Sequence, residues 1–230
     1  MNDDGYNMPR RQFIGCLAGG GAALALGGLG GLIPAVAEAT AAPASRPHSD
    51  QWDERWLTRI NGRHRQVFDA VSVGDELLIF GVNYIDTNKQ AYDLADKDIT
   101  TVVVLRHMAI PMAFSDDVWR RYKLGEMLKV TDLRTGKPAL RNIFIKRRPD
   151  EMKFQGAAVD LLQQRGVIFT CCAVALTVAS GLTAARAGVS KETAKQEWAE
   201  GLLEGITLVP SGVLAVNRAQ EKGCTYCYAG

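Results

Sequence analysis

Histidine is scarce in this chain: His48, His64 and His107 are the whole complement of three in 230 residues. There is no second CxxC and no histidine pair, so no zinc or other metal-ligand cluster is expected. No glycine-rich phosphate loop follows the first apolar strand, which argues against a flavin or nucleotide enzyme. The expected cofactor is therefore none. A surplus of one charge is lacking too: the net charge is +2, too small to suggest a nucleic-acid partner. The local basic runs Arg63-His64-Arg65 and Lys146-Arg147-Arg148 flank apolar segments and read as solvated edges. Beyond a glycine-loaded N-terminal stretch there is no low-complexity segment, and no internal repeat.

That N-terminal stretch carries the clearest signal. Arg10-Arg11-Gln12-Phe13-Ile14 is a twin-arginine pair followed by apolar residues. An apolar run from Ile14 to Ile33 follows, then small residues at Ala35-Val36-Ala37 and Ala37-Glu38-Ala39. Basic region, apolar region and A-x-A exit are the order of a bacterial export signal. The arginine pair assigns it to the twin-arginine (Tat) branch, which carries folded proteins. Arg10 and Arg11 are then signal-recognition residues, the Tat machinery is a partner, and the expected location is the periplasm. A transmembrane helix is the other reading, and a membrane becomes a partner only if the signal is uncleaved. Seven glycines between Gly19 and Gly31 make that helix a poor one, at about 1 kcal/mol each relative to Ala. Cys16 has no apolar region before it, so a lipoprotein signal is not favoured. The division expected is a signal at 1–39, a Pro-rich linker and N-terminal arm at 40–62, and one domain at 63–230. Roughly 190 residues suffice for one well-buried domain.

Apolar periodicity along that domain alternates between two kinds. Gln66–Asp69 reads as a short strand and Asp75–Tyr92 as an amphipathic helix. Thr100–Leu105 is a β-branched run of the sort buried on both sheet faces. Asp116 and Asp117 can cap a helix over Val118–Leu128. Thr131–Asn142 reads as a loop too polar for the core. A helix is expected over Asp150–Arg165, ending at Gly166, then a strand Val167–Cys171. Helices follow at Cys172–Ala187 and Lys191–Leu203, a strand at Ile206–Val209, a helix at Val213–Glu221 and a last strand at Cys224–Tyr228. The alternation predicts an α/β fold: a flavodoxin-like three-layer α/β/α sandwich with a mainly parallel sheet of about five strands.

Ligands of such sheets sit beyond the carboxyl ends of the strands. Three groups fall there: Arg106-His107-Met108, Cys171-Cys172 and Pro210-Ser211-Gly212. A thiol at the start of the helix after Cys171 would feel the helix N-terminus, which favours the nucleophilic thiolate. Cys171 and Cys172 are thus candidate nucleophiles, and consecutive strand positions point to opposite faces, so only one faces a cleft. His107 is a candidate base or hydrogen-bond donor, Arg106 a candidate anion clamp. Ser211 and Gly212 open a helix and offer backbone N–H groups to an anion. Each has a structural alternative: a core cysteine, a satisfied loop histidine, an edge charge, a turn with a cap. Cys224-Thr225-Tyr226-Cys227 matches CxxC, but on a terminal strand positions i and i+3 face opposite ways. A mutual disulfide needs a turn there instead.

Gly166-Val167-Ile168-Phe169-Thr170-Cys171 precedes an alanine-rich helix, and Gly205-Ile206-Thr207-Leu208-Val209-Pro210-Ser211-Gly212 precedes one ending Gln220-Glu221-Lys222-Gly223. Together these resemble the C-terminal half of the DsrE/DsrF-like superfamily. The resemblance covers residues 166–230 best. It implies a flavodoxin-like sandwich, homo-oligomers (trimers or hexamers) and, in some members, sulfur relay as a persulfide on a cysteine after a strand. By position Cys171 inherits that role, with Cys172 as the fallback. The chain departs from the small members by an insertion at about 112–148, a longer helical stretch from Ala184 to Leu203, and an export signal where sulfur-relay members are cytoplasmic. Two functions follow. One is an exported protein handling sulfur or thiols, with a small sulfur compound or thiol partner. The other is a non-catalytic module of the same fold, binding a small ligand or protein through aromatics such as Trp52, Trp56, Trp119 and Tyr122.

Overall fold

In the computed structural model, residues 52–230 are described. The twin-arginine segment with Arg10, Arg11 and Cys16, and the linker as far as residue 51, lie outside them. The main sheet has five strands: β1 (His64–Ala70), β2 (Ile99–Leu105), β5 (Ile168–Cys172), β6 (Ile206–Val209) and β7 (Thr225–Tyr228). Their order is β6-β5-β2-β1-β7, and every neighbouring pair is parallel. Burial follows position. Central β2 and its neighbour β5 are buried at every residue, as their runs of apolar and β-branched residues require. The two edge strands are partly exposed.

The order also fixes the layers. From β1 the chain steps in one direction to β2, β5 and β6, and right-handed crossovers stack their helices on one face. These are α1 (Glu76–Tyr92), α4 (Val159–Gln164) and α5 (Ala173–Ala187), with α6 (Lys191–Glu200) packed beside α5. From β6 the chain returns across the sheet to β7, so α7 (Gly212–Glu221) lies on the other face. The sheet's two-residue period separates the cores accordingly. Phe68, Val103, Leu105, Phe169 and Cys171 face the first side. Val67, Val102, Val104 and Ile168 meet Ala215 and Ala219 of α7, joined by Trp56, Leu57 and Ile60 of the N-terminal arm. The result is the three-layer α/β sandwich expected from the alternation.

Three stretches differ from the sequence expectation. The helix over 118–128 is two pieces, α2 (Asp116–Arg121) and α3 (Leu124–Leu128), with Lys123 left-handed between them. There the Tyr122 ring is buried and its hydroxyl donates to Glu197 Oε2 at 2.6 Å. The expected polar loop is a short hairpin, β3 (Thr131–Asp132) with β4 (Lys137–Pro138), and it does enter the core: Asp132, Ala139 and Asn142 are buried. Arginines make this affordable for the acid, since Arg141 grips Asp132 with two 2.8 Å bonds. Asn142 donates to Met112 O and Phe114 O and accepts from Phe144 N, so its amide is satisfied. The helix expected from Asp150 begins only at Val159. Gly156 has φ +86°, and Arg147 draws on the carbonyls of Glu151 and Ala157, so only a 3-10 turn at Pro149–Glu151 precedes that helix and 152–158 are irregular.

Candidate functional site

A cleft of 360 Å³ opens at the carboxyl end of the sheet, between the starts of α5 and α7. Its lining brings together Arg106 and His107 from the exit of β2, Cys172 from that of β5 and Ser211 from that of β6. The cleft thus lies where the strand-end rule points. Cys172 ends its strand and caps α5, where its sulfur accepts the Ala175 N–H at 3.4 Å. That is the geometry of an N-cap acceptor with sulfur in place of oxygen.

Cys171 is not part of this site. It faces the core between Leu105 and Leu208, with no exposed surface. Burial, with Cys172 alongside, pushes its thiol far above the usual range. The alternation of a strand decides the matter: one cysteine of the pair had to point inward, and it is the one first assigned the nucleophilic role.

Arg106 is at the cleft but is already occupied. Its Nε and one terminal nitrogen hold Asp69 at 2.6 and 2.8 Å, and Tyr226 donates its hydroxyl to the same carboxylate at 3.0 Å. Asp69 lies at the buried end of β1, with a 5% exposed side chain. The pair is electroneutral, so Arg106 is not the free anion clamp expected of it. Gly212 has a different role as well. It does not line the cleft; it is buried against Arg106, where a side chain would have no room.

His107 lines the cleft and is exposed, with a left-handed backbone (φ +50°) unusual for a histidine. Flanking hydrogen bonds hold this turn: Met108 N donates to Val71 O and Ala109 N to Arg106 O, both at 3.0 Å. The rest of the lining is apolar, from Met108, Met127, Val213 and one face of α5.

Neither Asp69 nor Tyr226 was among the expected site residues. An acid closing the apolar run Val67-Phe68-Asp69 was a usable signal, because it ends a strand next to the one ending at Arg106. Tyr226 was hidden inside the CxxC segment. That segment holds no disulfide: Cys224 belongs to the α7-side core and Cys227 packs against the other. Burial raises both thiols, Cys224 up to about 11. Of the aromatics Trp52, Trp56, Trp119 and Tyr122, three are buried and Trp52 is half-buried, so they form no exposed aromatic surface. Trp119 and Tyr122 are wholly buried and Trp56 nearly so, with Phe114, Tyr122 and Trp198 packed edge to face. Among the described residues no cluster of His, Cys, Asp or Glu is placed to hold a metal ion, and no single helix is long and apolar enough to cross a membrane.

No family model and no curated protein matches this chain. Among solved structures it is similar to MTH1491 from Methanobacterium thermoautotrophicum, a protein of unknown function, at 19% identity and a TM-score of 0.38. That match covers 72% of this chain and 98% of the other.

Proposed function

We propose that this is an exported, DsrE-like protein that handles sulfur or thiols through Cys172, with His107 as its polar neighbour. The observation that carries the reading is the position of Cys172: on the lining of a strand-end cleft and at the N-cap of a fifteen-residue helix. A helix start stabilises negative charge, and the thiolate is the form of cysteine that attacks. With an organic persulfide the step is a sulfur transfer. The Cys172 thiolate attacks the outer sulfur of R–S–SH, the S–S bond of the donor breaks, and R–S⁻ leaves with the electron pair. Cys172 then carries S–SH. His107, on the same lining, is the proposed proton partner of the leaving thiolate. Export through the twin-arginine route and assembly as a homo-oligomer belong to the same proposal, supported by the Arg10-Arg11 segment and by the family resemblance respectively.

The test is incubation of the purified full chain with an organic persulfide, followed by intact-mass and peptide mapping. One added sulfur on Cys172, lost in Cys172→Ala and kept in Cys171→Ala, is the expected result. No added sulfur, or sulfur that persists in Cys172→Ala, would sink the reading.

A further inference from the structure

Beyond Cys172 the cleft continues as an apolar lane. Val174, Val178 and Leu182 recur at i, i+4 and i+8 on α5, so they stand on one face of the helix. They are 57%, 57% and 75% exposed, and Val213 of α7, on the same lining, is 68% exposed. Met108 and Met127 complete the lane with side chains able to adapt to different shapes. Among the lining residues the ionisable groups are Arg106, His107 and Cys172, and no carboxylate is present. Arg106 is neutralised by Asp69.

We infer that the sulfur compound meeting Cys172 is a small organic thiol, persulfide or disulfide with an apolar alkyl or aryl body. This rests on the thiol-handling reading above and narrows it. An inorganic sulfur anion, or a peptide thiol bearing several carboxylates, would give up hydration here without meeting an uncompensated cation. An apolar body would instead remove the exposed α5 face from water. The 360 Å³ volume lies within the range of small-molecule sites, and so does the chemistry of a mostly apolar lining with a few polar groups at one end.

Methanethiosulfonates test the inference directly. The Cys172 thiolate attacks the sulfenyl sulfur of CH₃SO₂–S–R, the S–S bond breaks, Cys172–S–S–R forms and methanesulfinate leaves with the electron pair. Rates would be measured with methyl, butyl, octyl and anionic sulfonatoethyl reagents on the full chain. Each is mapped to Cys172 by peptide mass and divided by the rate on free cysteine. The ratio is expected to rise about twofold to fourfold per methylene until the lane is filled, with the sulfonatoethyl reagent no faster than methyl. Val178→Asp and Leu182→Asp are expected to flatten the rise with chain length.

A ratio independent of chain length, or a fastest reaction with the anionic reagent, overturns the apolar substrate and leaves the thiol reading standing. Failure of Cys172 to react even with the methyl reagent overturns both. If Val178→Asp changes the oligomeric state in sedimentation but not the chain-length dependence, the α5 face is covered by a second copy and the inference is wrong.

Discussion

Gly212 lies directly beneath Arg106: a β-carbon built on Gly212 would stand 2.5 Å from Arg106 Cβ and 3.0 Å from its Cδ. The start of α7 thus sets the height at which the arginine leaves β2. From there Arg106 spans to Asp69 on the neighbouring strand. Gly212→Ala is expected to displace the Arg106 side chain and cost about 1–3 kcal/mol, the usual range for overpacking. Urea denaturation would read the stability. The rate of Cys172 alkylation in the native state would change with it, whereas Gly136→Ala, at an open turn in the hairpin, would leave that rate unchanged.

Asp69 keeps the cleft electrically neutral. Removing its charge in Asp69→Asn leaves Arg106 uncompensated at the mouth of the site. The expected result is a severalfold gain in the rate at which an anionic thiosulfonate modifies Cys172, relative to the uncharged methyl reagent. Raising the salt concentration to 1 M should erase most of the gain, since the Debye length is then about 3 Å. The variant also breaks a largely buried ion pair, at a cost on the order of 3 kcal/mol. Tyr226→Phe removes only the hydroxyl bond to Asp69, so it should cost about 1 kcal/mol and leave the charge preference unaltered.

The layers were legible in the sequence because each strand carries its own signature. Thr100–Leu105 is β-branched or apolar at every position and carries no charge, which suits a strand covered on both faces, and it is the sheet's centre. The site was legible in outline for the same reason: ligand positions follow from where strands end. What periodicity could not supply is direction within a pair. Cys171 and Cys172 differ by one step of the pleat; both border the same core, and that step leaves Cys171 with no exposed surface and puts Cys172, 5% exposed, on the lining of the cleft. Nor could it show which charges meet. Arg106 and Asp69 are joined by strand pairing, 37 residues apart in sequence. The hairpin misled for a related reason: Asp132 and Asn142 look like solvent residues until Arg141 and the carbonyls of Met112 and Phe114 are brought to them.

The four cysteines among the described residues should separate cleanly by reactivity. Cys171 and Cys224 are buried with raised thiols, so iodoacetamide at neutral pH should reach them only after unfolding. Cys172 is itself only 5% exposed, but it lines the cleft and should be modified in the folded protein. Cys224 and Cys227 lie on opposite faces of β7's sheet, so mild oxidation should produce no bond between them. Alkylation with and without denaturant, followed by peptide mapping, reads all of this; native-state labelling of Cys171 ahead of Cys172 would contradict the described geometry.

Acid should weaken the insertion first. Glu151 accepts from Arg134, from Arg141 and from the Arg148 N–H. Chiefly through Arg134 its carboxyl is held down from 4.5 to about 2. Burial would raise the carboxyl of Asp132, but Arg141 and the Arg134 N–H outweigh that and hold it low as well. A group whose folded pKa lies below its unfolded value binds fewer protons in the folded state, so it stabilises the fold fully above the unfolded pKa. For Glu151 that contribution is complete above about pH 4.5 and is lost as pH falls through about 2. Glu151→Gln removes the charge on which four donors of three arginines converge, and should cost about 3 kcal/mol at pH 7. Because the wild type loses the same interaction in acid, urea midpoints of the two proteins should draw together between pH 4.5 and pH 2. A gap that stayed constant across that interval would mean the carboxylate's charge is not what holds the hairpin to residues 146–151.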